Sequence, residues 1–356
     1  YSRLYFDLNG NGDLTDDEVI EAPPSRVATS MAYSVFPPVE LAIDVGGKKL
    51  DYAFRFTVQS VATSKYAYAN ARLNSAAYRE GEITLDGEKR RVVLIDYNSN
   101  GRFDDTVSFR TSTTSVSPVL GDMLFIDPQS PRISRSLYSL AGGGQHHVAR
   151  LIGIDGRFFD LDVDPSGETL SLEPTSAPIG YVTNGNEDFN AVVYGDQGLL
   201  EISPDDEGKV SLPAGKWRLL SYTIDRTETP EPEAEKEDEE KSVLEVLGGA
   251  LTTPLAPDTP PKPTRITGWA TGDVKPVKVV AGETAEMPFG PPYTPEVTAG
   301  TIQEGQSVIP IGLSLIGAGG EVCRGITVDG KRPSAPEFTI STTDGEEVDV
   351  GKFKYG

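Results

Sequence analysis

The stretch FFDLDVDPSGETLSLEP, Phe158–Pro174, alternates apolar and polar residues on both sides of a Pro-Ser-Gly core. Phe159, Leu161 and Val163 fall on one parity, Asp160 and Asp162 on the other, and Leu170 and Leu172 resume the alternation. A period of two places successive side chains on opposite faces of a strand. Asp164-Pro165-Ser166-Gly167 supplies turn chemistry: proline presets one backbone angle, aspartate bonds the backbone ahead of it, and glycine accepts the closing conformation. The stretch predicts a hairpin whose inner face is Phe159, Leu161, Val163, Leu170 and Leu172.

Working outward, the same period recurs in Tyr52–Val58 (YAFRFTV), Glu82–Leu85 (EITL), Arg91–Ile95 (RVVLI) and Met123–Ile126 (MLFI). A second hairpin is expected within GLLEISPDDEGKVSLPAGKWRLLSYTI, Gly198–Ile224. The 37 glycines and 27 prolines imply many turns. Outside one acidic tract, no segment sustains a helical apolar period. The expected fold class is all-β, with two or three antiparallel β-sandwich domains and a disordered acidic insertion. A chain of 356 residues exceeds one ordinary core. The expected division is a β domain over 1–178, a sandwich over 179–290 and an immunoglobulin-like module over 291–356.

The acidic tract opens with TETPEPEAEKEDEEK, Thr227–Lys241, which holds eight acids and two lysines. Such composition cannot bury enough apolar surface to offset its ordering entropy, so residues 227–263 are expected to be disordered. Within them, SVLEVLGGAL could form a turn or two of helix. The flanks, Lys216–Asp225 and Arg265–Ala270, are both amphipathic and of similar length. They are expected to pair in one sheet, with the tract inserted at the hairpin tip.

The formal charge of −22 argues against nucleic acid, whose phosphates require a basic face, and against anionic membrane surfaces. It favours divalent cations. No stretch approaches the roughly 18 consecutive apolar residues of a membrane span. Cys323 is the sole cysteine, so no intramolecular disulfide can form. The chain begins at Tyr1 in residues that already read as strand, the expectation for a processed form or a piece of something longer.

Two loops carry the clearest chemistry. In Asp7–Glu18 (DLNGNGDLTDDE), Asp7, Asn9, Asn11, Asp13, Thr15 and Glu18 fall where an EF-hand loop places its ligands. Gly12 takes the turn position, Leu14 the apolar position, and Asp16 adds a further carboxylate. Calcium takes six to eight hard oxygens at roughly 2.3–2.6 Å, which alternate residues of a tightly wound loop deliver. The second loop, DYNSNGRFDD (Asp96–Asp105), repeats the pattern through Asp96, Asn98, Asn100 and Gly101, with Phe103 apolar. Its expected ligand set is Asp96, Asn98, Asn100, Arg102, Asp104 and Asp105, although Arg102 sets a positive charge beside the others. Val107 stands where the bidentate glutamate would be, so Asp104 or Asp105 must substitute. The first loop is therefore expected to bind calcium more tightly. The plainer alternative is Asx turns that need no metal.

Strand-like flanks and Pro23-Pro24 exclude the helices of an EF-hand pair. The loops instead resemble the helix-free calcium loops of thrombospondin-type repeats. LPAGKWRLLSYTI, Leu212–Ile224, resembles the strand-turn-strand of transthyretin-like, carboxypeptidase-regulatory-like sandwiches. MPFGPPYTPEV, VIPIGLSLIGAGGEVCRGI and RPSAPEFTI resemble modules of exported bacterial multidomain proteins. These resemblances imply a scaffold or binding role without catalytic residues, and further chain beyond GKFKYG.

Other candidates have plainer readings. His146 and His147 are adjacent, so on a strand they face opposite ways and do not share a metal. No G-x-S-x-G, H-E-x-x-H or P-loop signature is present. Asp160 and Asp162 share a face, as a hydrolase's acid pair or as a solvent-exposed edge. Tyr66 and Tyr68 share a face, as a sugar-stacking platform or as packing. Gly317–Glu321 (GAGGE), a weak mimic of a phosphate loop, reads better as a β-turn, and Cys323 as a small buried apolar residue rather than a nucleophile. The reading is an exported, non-catalytic structural or interaction protein, secreted, periplasmic or at the cell surface, with surface proteins or glycans as partners. The alternatives are a carbohydrate-binding module using Tyr66, Tyr68 or Tyr78, and a hydrolase using an acid pair.

Overall fold

The computed structural model describes residues 1–24, 26–28, 31–128, 144–227, 262–300 and 309–355. Among them every regular element is a strand. Two short strands, β1 (Arg3–Leu4) and β2 (Ile20–Glu21), pair and bracket the first acidic loop. Next come β3 (Arg26–Ala28), β4 (Met31–Val35), β5 (Val39–Val45), the long β6 (Lys48–Ala62) and β7 (Ala67–Ser75). They form one sheet in the order β3-β4-β6-β5, with β7 also on β6. Alternation on β6 turns Leu50, Tyr52 and Phe54 inward, and Leu4, Phe6, Leu8 and Ile20 from the N-terminal segment pack with the Tyr52–Phe54 cluster.

The strands β8 (Arg79–Leu85), β9 (Glu88–Ile95), β12 (Met123–Ile126) and β13 (Gln145–His147) form a sheet in the order β13-β12-β9-β8. A small hairpin, β10 (Ser108–Ser112) with β11 (Ser115–Val119), is inserted after β9. The decisive stretch folds as expected. Following β14 (Leu151–Ile154), β15 (Arg157–Val163) pairs with β16 (Leu170–Pro174), with Leu161 opposite Leu172. Gly167 N–H donates to Asp164 C=O at 2.8 Å and closes the turn. Phe159, Leu161 and Val163 are buried in one core with Leu94, Leu124 and Phe103.

The chain then forms β17 (Ile179–Thr183), β18 (Phe189–Gly195), β19 (Gly198–Ile202), β20 (Lys209–Pro213), β21 (Gly215–Asp225), β22 (Arg265–Trp269), β23 (Val277–Val279) and β24 (Thr284–Glu286). The second expected hairpin is corrected here. β19 pairs with β18, β20 joins a separate sheet with β17 and β24, and β21 returns to β18. The turn at Pro213-Ala214-Gly215 carries the chain from one sheet to the other. Val210 and Leu212 thereby face Val193, Leu219 and Ile224 across a shared core. A sandwich buries two apolar faces, which a single hairpin could not.

β21 and β22 pair with Asp225 opposite Arg265 and Ser221 opposite Trp269, the pairing expected of the tract's flanks. Arg226 N–H to Thr264 C=O (2.8 Å) continues the ladder to the tract's two ends. The tract itself, apart from Thr227, Lys262 and Pro263, lies outside the described residues, as does SVLEVLGGAL.

The last strands are β25 (Thr294–Ala299), β26 (Ile311–Ile316), β27 (Val322–Thr327), β28 (Glu337–Ser341) and β29 (Glu347–Lys352). One sheet runs β19-β18-β21-β22-β27-β26-β25, so strand pairing continues across the division placed at 290/291. Contacts also cross 178/179. Phe109 stacks on Tyr194 at 4.1 Å, and Trp269 Nε1–H donates to Val116 C=O at 2.8 Å.

Candidate metal centre

Both loops hang on β6, at different depths. The first is held by its roots: the Phe6 ring lies 4.9 Å from that of Phe54. Its turn is in solvent, and Leu14, at the apolar position, is 48% exposed. The second leaves β9 and enters the core. Phe103, at the same loop position, is 1% exposed, and its N–H donates to Pro165 C=O at 3.0 Å. Asp96 is buried and accepts the Tyr52 hydroxyl at 2.7 Å. Tyr52 thus touches the second loop through its hydroxyl and packs in the cluster that roots the first.

Inside, the loops follow one hydrogen-bond plan. The Asp7 carboxylate accepts N–H groups from Gly10, Asn11 and Gly12 at 2.7, 3.1 and 2.7 Å. The Asp96 carboxylate accepts those of Asn100 and Gly101 at 3.2 and 2.7 Å. Asn9 and Asn11 each accept the N–H two residues on, as do Asn98 and Asn100. The Asn9 and Asn11 amides donate to Asp16 at 3.3 and 2.8 Å; those of Asn98 and Asn100 donate to Asp105 at 3.1 and 2.6 Å. Gly12 and Gly101 sit at φ +81° and +86°, the left-handed conformation that the turn position requires.

The remaining expected ligands are placed as follows. Asp13 accepts the Thr15 N–H and hydroxyl at 2.9 and 2.7 Å, which holds its pKa below the ordinary value. Glu18 is exposed and makes no hydrogen bond or ion pair with a described residue. Arg102 grips Asp104 through two bonds, 3.0 and 2.7 Å, so these two satisfy each other while Asp105 turns inward.

Two acids outside the expected sets complete the plan. Asp122, fully buried, accepts Tyr97 N–H at 3.1 Å and Asp105 N–H at 2.9 Å, clamping both ends of the second loop. Burial pushes its pKa up to about 7 against the lowering effect of the Asp105 N–H, and the Asp96 and Asp105 charges add to the rise. Asp17 makes the matching bond in the first loop, accepting Leu8 N–H at 3.1 Å, while its Oδ2 is buried without a partner. Asp17 lies inside the motif and was within reach of sequence reasoning. Asp122 is remote in sequence and carries no local signal.

The donor chemistry suits a hard cation: in each loop two carboxylates that share the hydrogen-bond plan, Asp7 with Asp16 and Asp96 with Asp105, join a set of amide and carbonyl oxygens, with no imidazole or sulfur ligand type. Asp7, Asp16, Asp96 and Asp105 form no ion pair with a described lysine or arginine. Among the described residues no three His, Cys, Asp or Glu side chains gather as a metal-holding group. Amide and backbone oxygens would therefore have to supply much of any coordination shell. In the conformation described, the Asn side chains spend their N–H groups on Asp16 and Asp105. An entering cation would exchange these bonds for ion–oxygen contacts.

The other candidates separate. His146 and His147 border a groove of about 940 Å³ with Arg90, Asp155 and Glu201. Burial holds both imidazoles at about 4, and neither is hydrogen-bonded to a described serine or acid. Asp160 and Asp162 are exposed on the outer face of β15. Tyr66, Tyr68 and Tyr78 are exposed, and the first two rings lie 6.0 Å apart at 18°. Gly320 N–H to Gly317 C=O at 3.0 Å makes GAGGE a turn, and the buried Glu321 accepts Gly290 and Gly319 N–H groups at 2.6 and 3.0 Å. Cys323 is half-buried rather than buried as expected, because it lines an open groove along β27; burial still raises its thiol pKa, which disfavours a thiolate nucleophile. No protein-family model matches the chain, and no curated protein or solved structure matches it at a significant level.

Proposed function

We propose that the chain is a non-catalytic structural and interaction protein, acting outside the cytoplasm, whose N-terminal sheets are braced by Ca²⁺ in the loops Asp7–Glu18 and Asp96–Asp105. The observation that carries this reading is the shared plan. Two loops distant in sequence wind the same backbone around paired carboxylates that form no ion pair with a described basic side chain, although the Arg102 charge lies near Asp105. Two inward carboxylates per loop, fewer than in high-affinity sites, suit the weak regime of extracellular calcium modules, with dissociation constants of roughly 10⁻⁴–10⁻³ M. Calorimetric titration with Ca²⁺ tests it, using Asp7→Ala to remove the first site and Asp105→Asn to weaken the second. Absence of heat in the unaltered protein at millimolar Ca²⁺ refutes the reading.

A second reading rests on Tyr66 and Tyr68, whose exposed, near-parallel rings offer apolar faces to a sugar. Binding on a glycan array that is lost in Tyr66→Ala/Tyr68→Ala supports it, and an empty array counts against it.

A further inference from the structure

The C-terminal strands leave a sheet half closed. β26 pairs with β25 along its length, and β27 pairs with β22, yet β26 and β27 meet at a single position, Ile316 opposite Val322. Beyond that point the facing edges, Ile311–Leu315 and Cys323–Thr327, have no strand between them among the described residues. The groove there, closed on one side by β28 and β29, measures about 910 Å³. Its floor is apolar and half-exposed: Ile311, Leu313, Leu315, Ile326, Phe338 and Phe353 all line it, and none is buried. No hydrophobic cluster of the described residues includes a side chain beyond Phe289. A β module ordinarily buries one apolar face and pairs its backbone groups; this one does neither at the cleft.

Charge identifies the occupant. Among the described residues the groove is bordered by Arg324, Arg332, Lys352 and Lys354 and by no acid, in a chain of net charge −22. Lys352 pairs with Glu337 at 2.8 Å, and Arg332 lies 5.1 Å over the Tyr355 ring. Arg324 and Lys354 have no acidic partner among the described residues.

We propose that the cleft between β26 and β27 accepts an extended acidic peptide strand from a protein partner. The strand's backbone pairs with the two open edges, its apolar side chains cover the Leu313 floor, and its acids meet Arg324 and Lys354. Strand addition takes affinity from main-chain bonds and specificity from alternate side chains. A glycan would leave the apolar floor uncovered, and a lipid would leave both backbone edges unpaired. The proposal goes beyond the calcium reading and involves neither loop.

The test is fluorescence anisotropy of the full chain, in EDTA, so that failure of the calcium reading leaves the result unaffected. The probe is a fluorescein-labelled peptide of alternating valine and glutamate; controls are its valine–lysine counterpart and a proline-interrupted acidic version. The acidic probe should bind in a salt-sensitive manner, at least about tenfold more tightly than either control. Arg324→Glu with Lys354→Glu should weaken it by about tenfold or more at unchanged melting temperature. Arg324→Gln, a milder change at an exposed side chain, should give a smaller loss in the same direction. The proposal is overturned if the acidic probe does not bind at about 1 mM, if the lysine or proline control binds equally, or if both sets of variants bind like the unaltered chain.

Discussion

At the scale of single residues, buried acids and close backbone approaches set how firmly the second loop is held. Gly121 leads into β12 where the chain passes the second loop, and a Cβ there would lie 2.0 Å from Asp105 C=O. Gly121→Ala must displace backbone and should cost about 1–3 kcal/mol in urea unfolding. Asp122→Asn replaces one accepting oxygen with an amino group facing an N–H. It should destabilise by about 1–3 kcal/mol, the penalty of an unsatisfied buried donor. The histidines give a pH dependence. Their folded pKa values of about 4 lie below the ordinary 6.5, so between these limits the unfolded chain binds more protons. The histidine contribution should be level above pH 6.5 and fall as pH drops toward 4, by up to about 1.4 kcal/mol per pH unit for each group. It is opposed over part of that range by Asp122, whose raised pKa makes its own contribution grow as pH drops below about 7. His147→Leu, which also removes the unpartnered Nδ1, should flatten that slope in melts followed by circular dichroism. An unchanged slope in this variant would assign the acid sensitivity elsewhere.

At the scale of elements, the two loops share a plan and differ in anchorage. Leu14→Ala should change stability by no more than about 0.5 kcal/mol, because the side chain is already in water. Phe103→Ala should cost about 3–5 kcal/mol, because it empties a fully buried site beside Arg79 of β8 and the β15–β16 turn. Sequence spacing gave the two positions the same apolar role; depth separates them, and depth is a tertiary property. The same distinction explains what could be read beforehand. The Phe158–Pro174 hairpin and the β21–β22 pairing were legible because strand alternation and turn chemistry are local. The sheet switch at Pro213–Gly215 was not, since whether β20 pairs with β19 or crosses to β17 depends on which apolar faces meet. The metal candidates were found by their spacing, whereas Asp122 entered only when folding brought β12 beside the loop.

At the scale of the whole molecule, β6 links the loops: the first is rooted against Phe54, and the second bonds Tyr52. A cation bound only by the folded chain stabilises it by about 2.7 kcal/mol when free ion is 100 times the dissociation constant. The second loop, joined to the core through Asp96, Phe103 and Asp122, should transmit that gain to the N-terminal sheets. The acidic tract should be dispensable to this architecture. Thr264 N–H donates to the Thr227 hydroxyl at 3.0 Å, so the tract's ends are adjacent. Replacing residues 228–261 with a short Gly-Ser linker should leave the melting temperature within a few degrees, whereas unfolding would show that the tract supports the sheet. The central claim is that calcium braces the β6 region through both loops, and scanning calorimetry of the full chain in millimolar Ca²⁺ and in EDTA tests it most directly. The account predicts a lower melting temperature in EDTA, with most of the difference abolished in Asp7→Ala/Asp105→Asn; superimposable transitions in Ca²⁺ and EDTA would contradict it.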